Sequence, residues 1–240
     1  ILLFVIVYLL DLRISSTRIY IIDVLISNIL ISYIFSTFCL LILINGSNFI
    51  DGLNGLLVGY YLLISLIFIK LNFFNFLDIE VNDLLFFSLV LFILFLFNLS
   101  KKSFMGDTGA YILGFFYGYL LIKIYSEYQI FSPFFVILLL WYPCFENLFS
   151  ILRKFLINKN PMKPDNSHLH HYLYMLIKKK LGLSNLLSNN LSSLMINSFN
   201  LVIFYFASLN FNHTQTQLII LFLSIISYLI IFFTLKKILS

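Results

Sequence analysis

Charge is what this 240-residue chain has least of, since Asp, Glu, Lys and Arg together make up 10% of it. So few charges cannot clothe a water-soluble domain, and 61% hydrophobic residues with 29 Phe exceed what one buried core could hold. A soluble fold is excluded, and the composition is that of an integral membrane protein. Cysteine is nearly absent. Cys39 and Cys144 lie in or beside apolar stretches and read as small buried hydrophobes, which excludes a disulfide framework and a cysteine-based metal site. Four Pro and nine Gly are too few and too scattered to mark a linker. No internal period of about 20–50 residues repeats either, so residues 1–240 are expected to form one membrane domain. The chain opens at Ile1 inside an apolar run, with no basic flank before it and no small-residue cleavage site behind. That is not a signal peptide, and the expectation is a chain that lacks its first spans.

Long apolar runs are what the sequence has instead. A helix needs ~20 apolar residues to cross a ~30 Å hydrocarbon core. Residues 1–10 make a partial span, 19–45 form one long run, and further spans cover 55–72, 84–99, 109–125, 131–152, 191–209 and 217–235. Lipid-spanning strands would need a closed barrel of alternating segments, so continuous runs predict helices. The expected fold is all-α, a polytopic transmembrane helical bundle of about seven to eight spans. Arg13, Arg18, Lys101, Lys102, the cations from Arg153 to Lys180, Lys236 and Lys237 all fall on one side if the chain crosses in pairs between them. Lys70 and Lys123 fall on the other, with Asp78, Glu80, Asp83 and Glu127. The basic side is expected to be cytoplasmic, with loops near 10–18, 45–55, 99–108 and 153–183. Net charge +5 then reflects topology and some attraction to anionic lipid or phosphate, and points to no nucleic-acid partner.

Four polar clusters fall on that side: LDLR (10–13), NGSNFIDGLNG (45–55), KKSFMGDTGA (101–110) and NKNPMKPDNSHLHHYL (158–173). Each ends a span, where ionisable groups are costly unless they face a cavity, so the set reads as a functional site. Each also has a plainer reading. NFIDGLNG has the composition of an ordinary turn. In FMGDTG, Gly106 and Gly109 would let backbone approach a ligand while Asp107 and free amides meet a cation and a phosphate. Equally, Asp107 or Thr108 could simply cap the next helix. HLHH brings together three of the four histidines after Pro161, Pro164 and Asp165; it could be a solvated loop, a zinc site with Asp165, or a phosphate binder. The hard oxygen donors of the other clusters suit Mg²⁺ better than zinc. A hard cation on carboxylates, with His, Lys and Arg on phosphate oxygens, is the equipment of phosphoryl transfer.

Three blocks in order, NGSNFIDGLNGL, FMGDTGAYILGF and YPCFENLFSILRKFLINKNPMKPDNSHLHH, resemble the signatures of the polyprenyl-phosphate N-acetylhexosamine-1-phosphate transferases. That family includes the enzyme that starts many bacterial O-antigens and teichoic acids, and the translocase that makes the first lipid intermediate of peptidoglycan. The PMxPD and HLHH wording is similar to the sugar-phosphate branch. The resemblance implies a Mg²⁺-dependent enzyme, with Mn²⁺ as a substitute, in the bacterial inner membrane with its site on the cytoplasmic face. It implies transfer of N-acetylhexosamine 1-phosphate from UDP-N-acetylhexosamine to undecaprenyl phosphate, releasing UMP and initiating a lipid-linked glycan such as lipopolysaccharide O-antigen; a homodimer is compatible with it.

Carried over by position, Asp107 and Asp11 would ligate the metal, and Asp11, Asp51, Asp107 and His168 would form the catalytic set. Asn48 and Asn54 would line the nucleotide pocket with Asp51. Arg153, Asp165, His170 and His171 would hold the sugar-diphosphate beside His168. The chain departs from the pattern at Leu10, where the family pairs a second acid with Asp11, and at Asn54, where it has an Asp. The third departure is geometric. Bringing Asp11 and Asp51 to one face takes two crossings, about 60 Å of helix, whereas the 19–45 run supplies about 40 Å. An inactive relic or scaffold of the family is therefore the runner-up. A transporter is disfavoured because the polar groups gather at one surface rather than in mid-membrane, and a zinc hydrolase is the remaining option.

Overall fold

The computed structural model describes residues 1–77, 80–156, 158 and 167–239. Among the described residues there are eleven helices and no strand. They are α1 (Leu2–Leu9), α2 (Tyr20–Ile26), α3 (Ile29–Ile50), α4 (Leu56–Lys70), α5 (Phe74–Leu77), α6 (Val81–Leu99), α7 (Gly106–Glu127), α8 (Pro133–Leu156), α9 (Leu169–Leu181), α10 (Asn185–Leu209) and α11 (Thr214–Leu239). Local chemistry sets several ends. The Asn28 side chain accepts from the Leu30 and Ile31 amides to start α3, and Ser184 does the same for Leu187 at α10. Gly182, at φ 61°, closes α9 in the left-handed conformation.

Five of these helices, α3, α6, α8, α10 and α11, are long and apolar enough to cross a membrane. The 15-residue α4 and the 22-residue α7 run through the bundle beside them. Outward faces are apolar, with Phe86 and Phe92 on α6 and Phe222 and Phe233 on α11 exposed, as lipid-facing surfaces require. The all-α multi-pass bundle is thus as expected, with one change in its first third.

That change concerns the 19–45 run. Asn28 breaks it into the seven-residue α2 and a single long α3, so the chain crosses once, not twice, between Asp11 and Asp51. Asp11 accepts hydrogen bonds from Arg13 Nε at 3.0 Å and from the Tyr33 hydroxyl near the start of α3. It lines a cavity of about 280 Å³ with Tyr119, Lys123 and Glu127 from the last turns of α7. Arg18 ties down the same end, donating to the Gln129 and Phe131 carbonyls, each at 2.9 Å, and to Thr214 Oγ1 at 2.7 Å. Arg13 and Arg18 therefore lie with Lys123, at the end opposite Asp51 and Asp107. Twenty-seven residues were too short for a helical hairpin through the bilayer, and the chain takes the one-crossing solution.

The core sits where α3 packs between α7 and α8. A Cβ on Gly46 would come within 2.1 Å of the Pro143 carbonyl oxygen, and one on Gly114 within 2.6 Å of Ser47 Oγ. Small residues permit this close approach, the way membrane helices gain dispersion contact when lipid is as apolar as their side chains. Pro143 lacks an N–H and leaves the Leu139 carbonyl without its helical partner; the Tyr60 hydroxyl donates to that carbonyl at 2.9 Å. Tyr61 stacks on Tyr117 at 4.6 Å, and its hydroxyl shares a 2.5 Å bond with Ser47. Helix α8 is thereby locked against α3 and α4, and it carries Glu146 and Arg153 toward the end where Asp51 and Asp107 lie.

Candidate active site

The 51–55 turn after α3 is held from three directions. Its Asn54 amide donates to Asn189 Oδ1 at 2.7 Å, and its Gly55 amide donates to Asn98 Oδ1. The Gly55 carbonyl accepts from Asn197 Nδ2 at 3.0 Å. Asn98 also donates to the Ser103 carbonyl at 3.2 Å, so one side chain joins the DGLNG turn to the loop before Asp107. Asn190 donates to the Leu99 carbonyl at 2.9 Å and pins the same loop to α10. A turn at a membrane surface has backbone groups that no ladder satisfies, and here asparagines on α6 and α10 satisfy them.

This bracing places two acids together. Asp51 is half-buried at the end of α3, and the Gly106 amide at the start of α7 donates to its carboxylate. Gly106 sits at φ 62°, which turns that amide toward α3. Burial, with the neighbouring Asp107 charge adding to it, pushes Asp51 up to about 7. Asp107 is exposed in the first turn of α7. Two carboxylates that repel each other beside helix-terminal amides form a place where added positive charge is favourable. Asn48 lies one turn before Asp51, its Nδ2 donating weakly to the Tyr111 hydroxyl at 3.5 Å. Asn54 Nδ2 is buried without a partner.

The histidines arrive on α9. His168 precedes its first turn, and its ring stacks on His170 at 5.4 Å, which in turn lies 4.4 Å from His171. His170 is 1% exposed, and neither ring nitrogen has a hydrogen-bond partner. Burial, then the adjacent histidines, hold it well below the usual imidazole range, so it is neutral. A Cβ on Gly52 would lie 2.6 Å from His170 Nε2, so the glycine of the DG pair is what lets α9 dock on the acid-bearing turn. Arg153 lies over the Phe149 and Phe232 rings at 5.6 and 5.4 Å and donates to the Ser167 carbonyl, bracing the backbone ahead of His168.

Asn48, Asp51, Asn54, Asp107, Arg153, His168, His170 and His171 are thus gathered at one end of the bundle. Asp165 lies outside the described residues. Asp11 is not gathered with them. It sits beside the far end of α7, about 30 Å from Asp107 along a 22-residue helix. The metal pair Asp107 and Asp11, expected from the resemblance, is not formed, because a single crossing separates them. No group of three or more His, Cys, Asp or Glu placed to hold a metal occurs among the described residues. Sequence reasoning passed over the bracing asparagines Asn98, Asn189 and Asn197, which carry no motif. It also passed over Glu146, whose signal was present: an acid within an apolar span demands a partner.

The model of glycosyl transferase family 4 matches residues 1–125, which include both acids of the site and slightly more than half of the chain. The chain belongs to that family. Curated relatives include the probable undecaprenyl-phosphate N-acetylglucosaminyl 1-phosphate transferase of Bacillus subtilis, 35% identical over 54% of this chain and 37% of the relative. The undecaprenyl-phosphate alpha-N-acetylglucosaminyl 1-phosphate transferase of Thermotoga maritima is 30% identical over 54% of this chain and 38% of its own length. The decaprenyl-phosphate N-acetylglucosaminephosphotransferase of Mycolicibacterium smegmatis is 30% identical over 55% and 37%. The chain therefore spans well under half the length of these family 4 relatives. No solved structure matches it.

Proposed function

We propose that this chain transfers N-acetylhexosamine 1-phosphate from a UDP-sugar to undecaprenyl phosphate, releasing UMP and starting a lipid-linked surface glycan. The observation that carries this reading is the meeting of Asp51 and Asp107 with the His168–His171 cluster at one lysine-rich end of the bundle. The names of the Bacillus subtilis and Thermotoga maritima relatives support undecaprenyl phosphate as acceptor, and all three names support an N-acetylglucosamine phosphate as the transferred group. By the excess of Lys and Arg at that end, it faces the cytoplasm, where nucleotide sugars are found.

The residues fit a divalent cation. Asp51 and Asp107 are hard donors whose mutual repulsion a cation relieves, and Mg²⁺ ordinarily takes one or two protein carboxylates and completes its shell with water and substrate phosphate. Bound there, Mg²⁺ would neutralise charge on the donor diphosphate. The chain's own groups do the rest by positioning, which is most of what phosphoryl transfer requires of a protein. Asn48 and Asn54 line the nucleotide side of the turn, and the unpartnered Asn54 amide group offers a donor. His168 and His171 hold the diphosphate, and Arg153 braces the backbone ahead of them. His170, neutral and packed on Gly52, keeps the cluster seated on the turn.

A second reading has its own observation. Because Asp11 lies at the opposite end, the site lacks an acid that the resemblance implies, which favours an inactive relic of the family. One assay separates the two. Membranes containing the chain, undecaprenyl phosphate, UDP-N-acetylglucosamine and Mg²⁺ should release UMP, and Asp107→Asn should lower the rate by about 10²–10³-fold, typical for loss of a charge-stabilising group. UMP release by the variant at the parent's rate refutes the metal assignment. No release by a correctly inserted parent chain selects the relic.

A further inference from the structure

Glu146 is an acid in the middle of an apolar helix, 1% exposed. Such a group is retained only when hydrogen-bonded and charge-paired. Its Oε2 lies 3.0 Å from His168 Nδ1, and its Oε1 accepts from the Tyr142 hydroxyl one turn earlier at 3.3 Å. A carboxylate can only accept, so Nδ1 carries the proton in this pair. The nitrogen of His168 left for any ligand is then Nε2. Phe49 packs on the His168 ring at 5.5 Å and His170 stacks on it, limiting rotation away from Glu146. His170, by contrast, has no acid on either nitrogen.

We infer that Glu146 is the positioning residue of His168: it holds Nδ1–H, fixes the ring plane, and presents Nε2 to the phosphate oxygens of the donor substrate. This rests on the transferase reading above and adds a division of labour to it. Nε2 can donate to a phosphate oxygen only when it too bears a proton, and the carboxylate on Nδ1 is the partner that compensates that charge when substrate is bound. His168 is thus the member of the cluster that meets substrate, and His170, with no acid on either nitrogen, the structural one. Tyr142 occupies the other carboxylate oxygen, which leaves Oε2 for the histidine.

The test uses the full chain in detergent micelles with ¹⁵N-labelled histidine, His168→Asn providing the assignment. In the parent chain, His168 Nδ1 should show the shift of a protonated nitrogen. Glu146→Leu should abolish that signature, because no acceptor then holds Nδ1–H, whereas Glu146→Asp should keep it. In the UMP-release assay, Glu146→Leu should lower kcat by about 10–100-fold, the size of effect that follows loss of the outer partner of a metal-bound histidine, with KM little changed; Glu146→Asp should recover part of it. An Nδ1 signal identical in parent and Glu146→Leu overturns the inference, even if activity falls, because the acid would then be merely structural. A parent chain without UMP release refutes the transferase reading alone and leaves the spectroscopic result to decide the role of Glu146.

Discussion

Burial and the Asp107 charge raise Asp51 from an ordinary 3.8 to about 7, so between those values the folded chain holds a proton that the unfolded chain has released. Folding is therefore proton-linked with a definite sign. Without added divalent cation, stability should fall as pH rises from about 4 to about 7 and then level off, since the folded state binds more protons across that window. Thermal unfolding in detergent over that range checks this, and Asp51→Asn should flatten the profile. A stability that climbs over the same window would mean that Asp51 is not buried beside Asp107 as the fold places it. The motif DG at 51–52 made Asp51 legible as a candidate site residue. Its protonation was not legible, because it depends first on burial against the packed helices and then on Asp107, 56 positions away in the chain, arriving beside it.

Helix ends and the turns between them form the next scale. The DGLNG turn reads in the sequence as Asn, Asp and Gly, enough to predict a turn but not what holds it. Asn98 at the end of α6 holds it, bonded at once to the Gly55 amide and the Ser103 carbonyl. Asn98→Ala should leave a buried backbone amide without a partner, at a cost of about 1–3 kcal/mol. It should also impair UMP release by loosening the spacing of Asp51 and Asp107. A detergent unfolding curve and the exchange assay read both effects, whereas unchanged stability would mean that water replaces the asparagine. Position 98 carries no motif because its role is set by the docking of α6 against α4. Gly52 makes the converse case: the glycine was legible, but its reason, the His170 ring lying against it, required α9 in place.

For the whole molecule, the number of crossings decides which polar clusters share a face. All described clusters but LDLR meet at the end that carries Lys101, Lys102, Lys178 and Lys236; LDLR meets the last turns of α7 at the other end. Asp11→Asn should therefore leave UMP release within about 2-fold of the parent, as expected for a surface group remote from the chemistry. A loss comparable to that of Asp107→Asn would mean that Asp11 reaches the site and that the chain crosses twice before Asp51. By itself the sequence determined the membrane environment, the helical class and the family signatures, and it named the candidate residues that gather around the 51–55 turn, the start of α7 and α9, because hydropathy and short motifs are local properties. It also signalled its own difficulty, a 19–45 run too short for two spans. Only the tertiary structure decided that Asp11 stands apart, that Glu146 holds His168, and that asparagines from distant helices brace the turn. Those outcomes depend on how helices far apart in sequence pack together, and no local pattern records that packing.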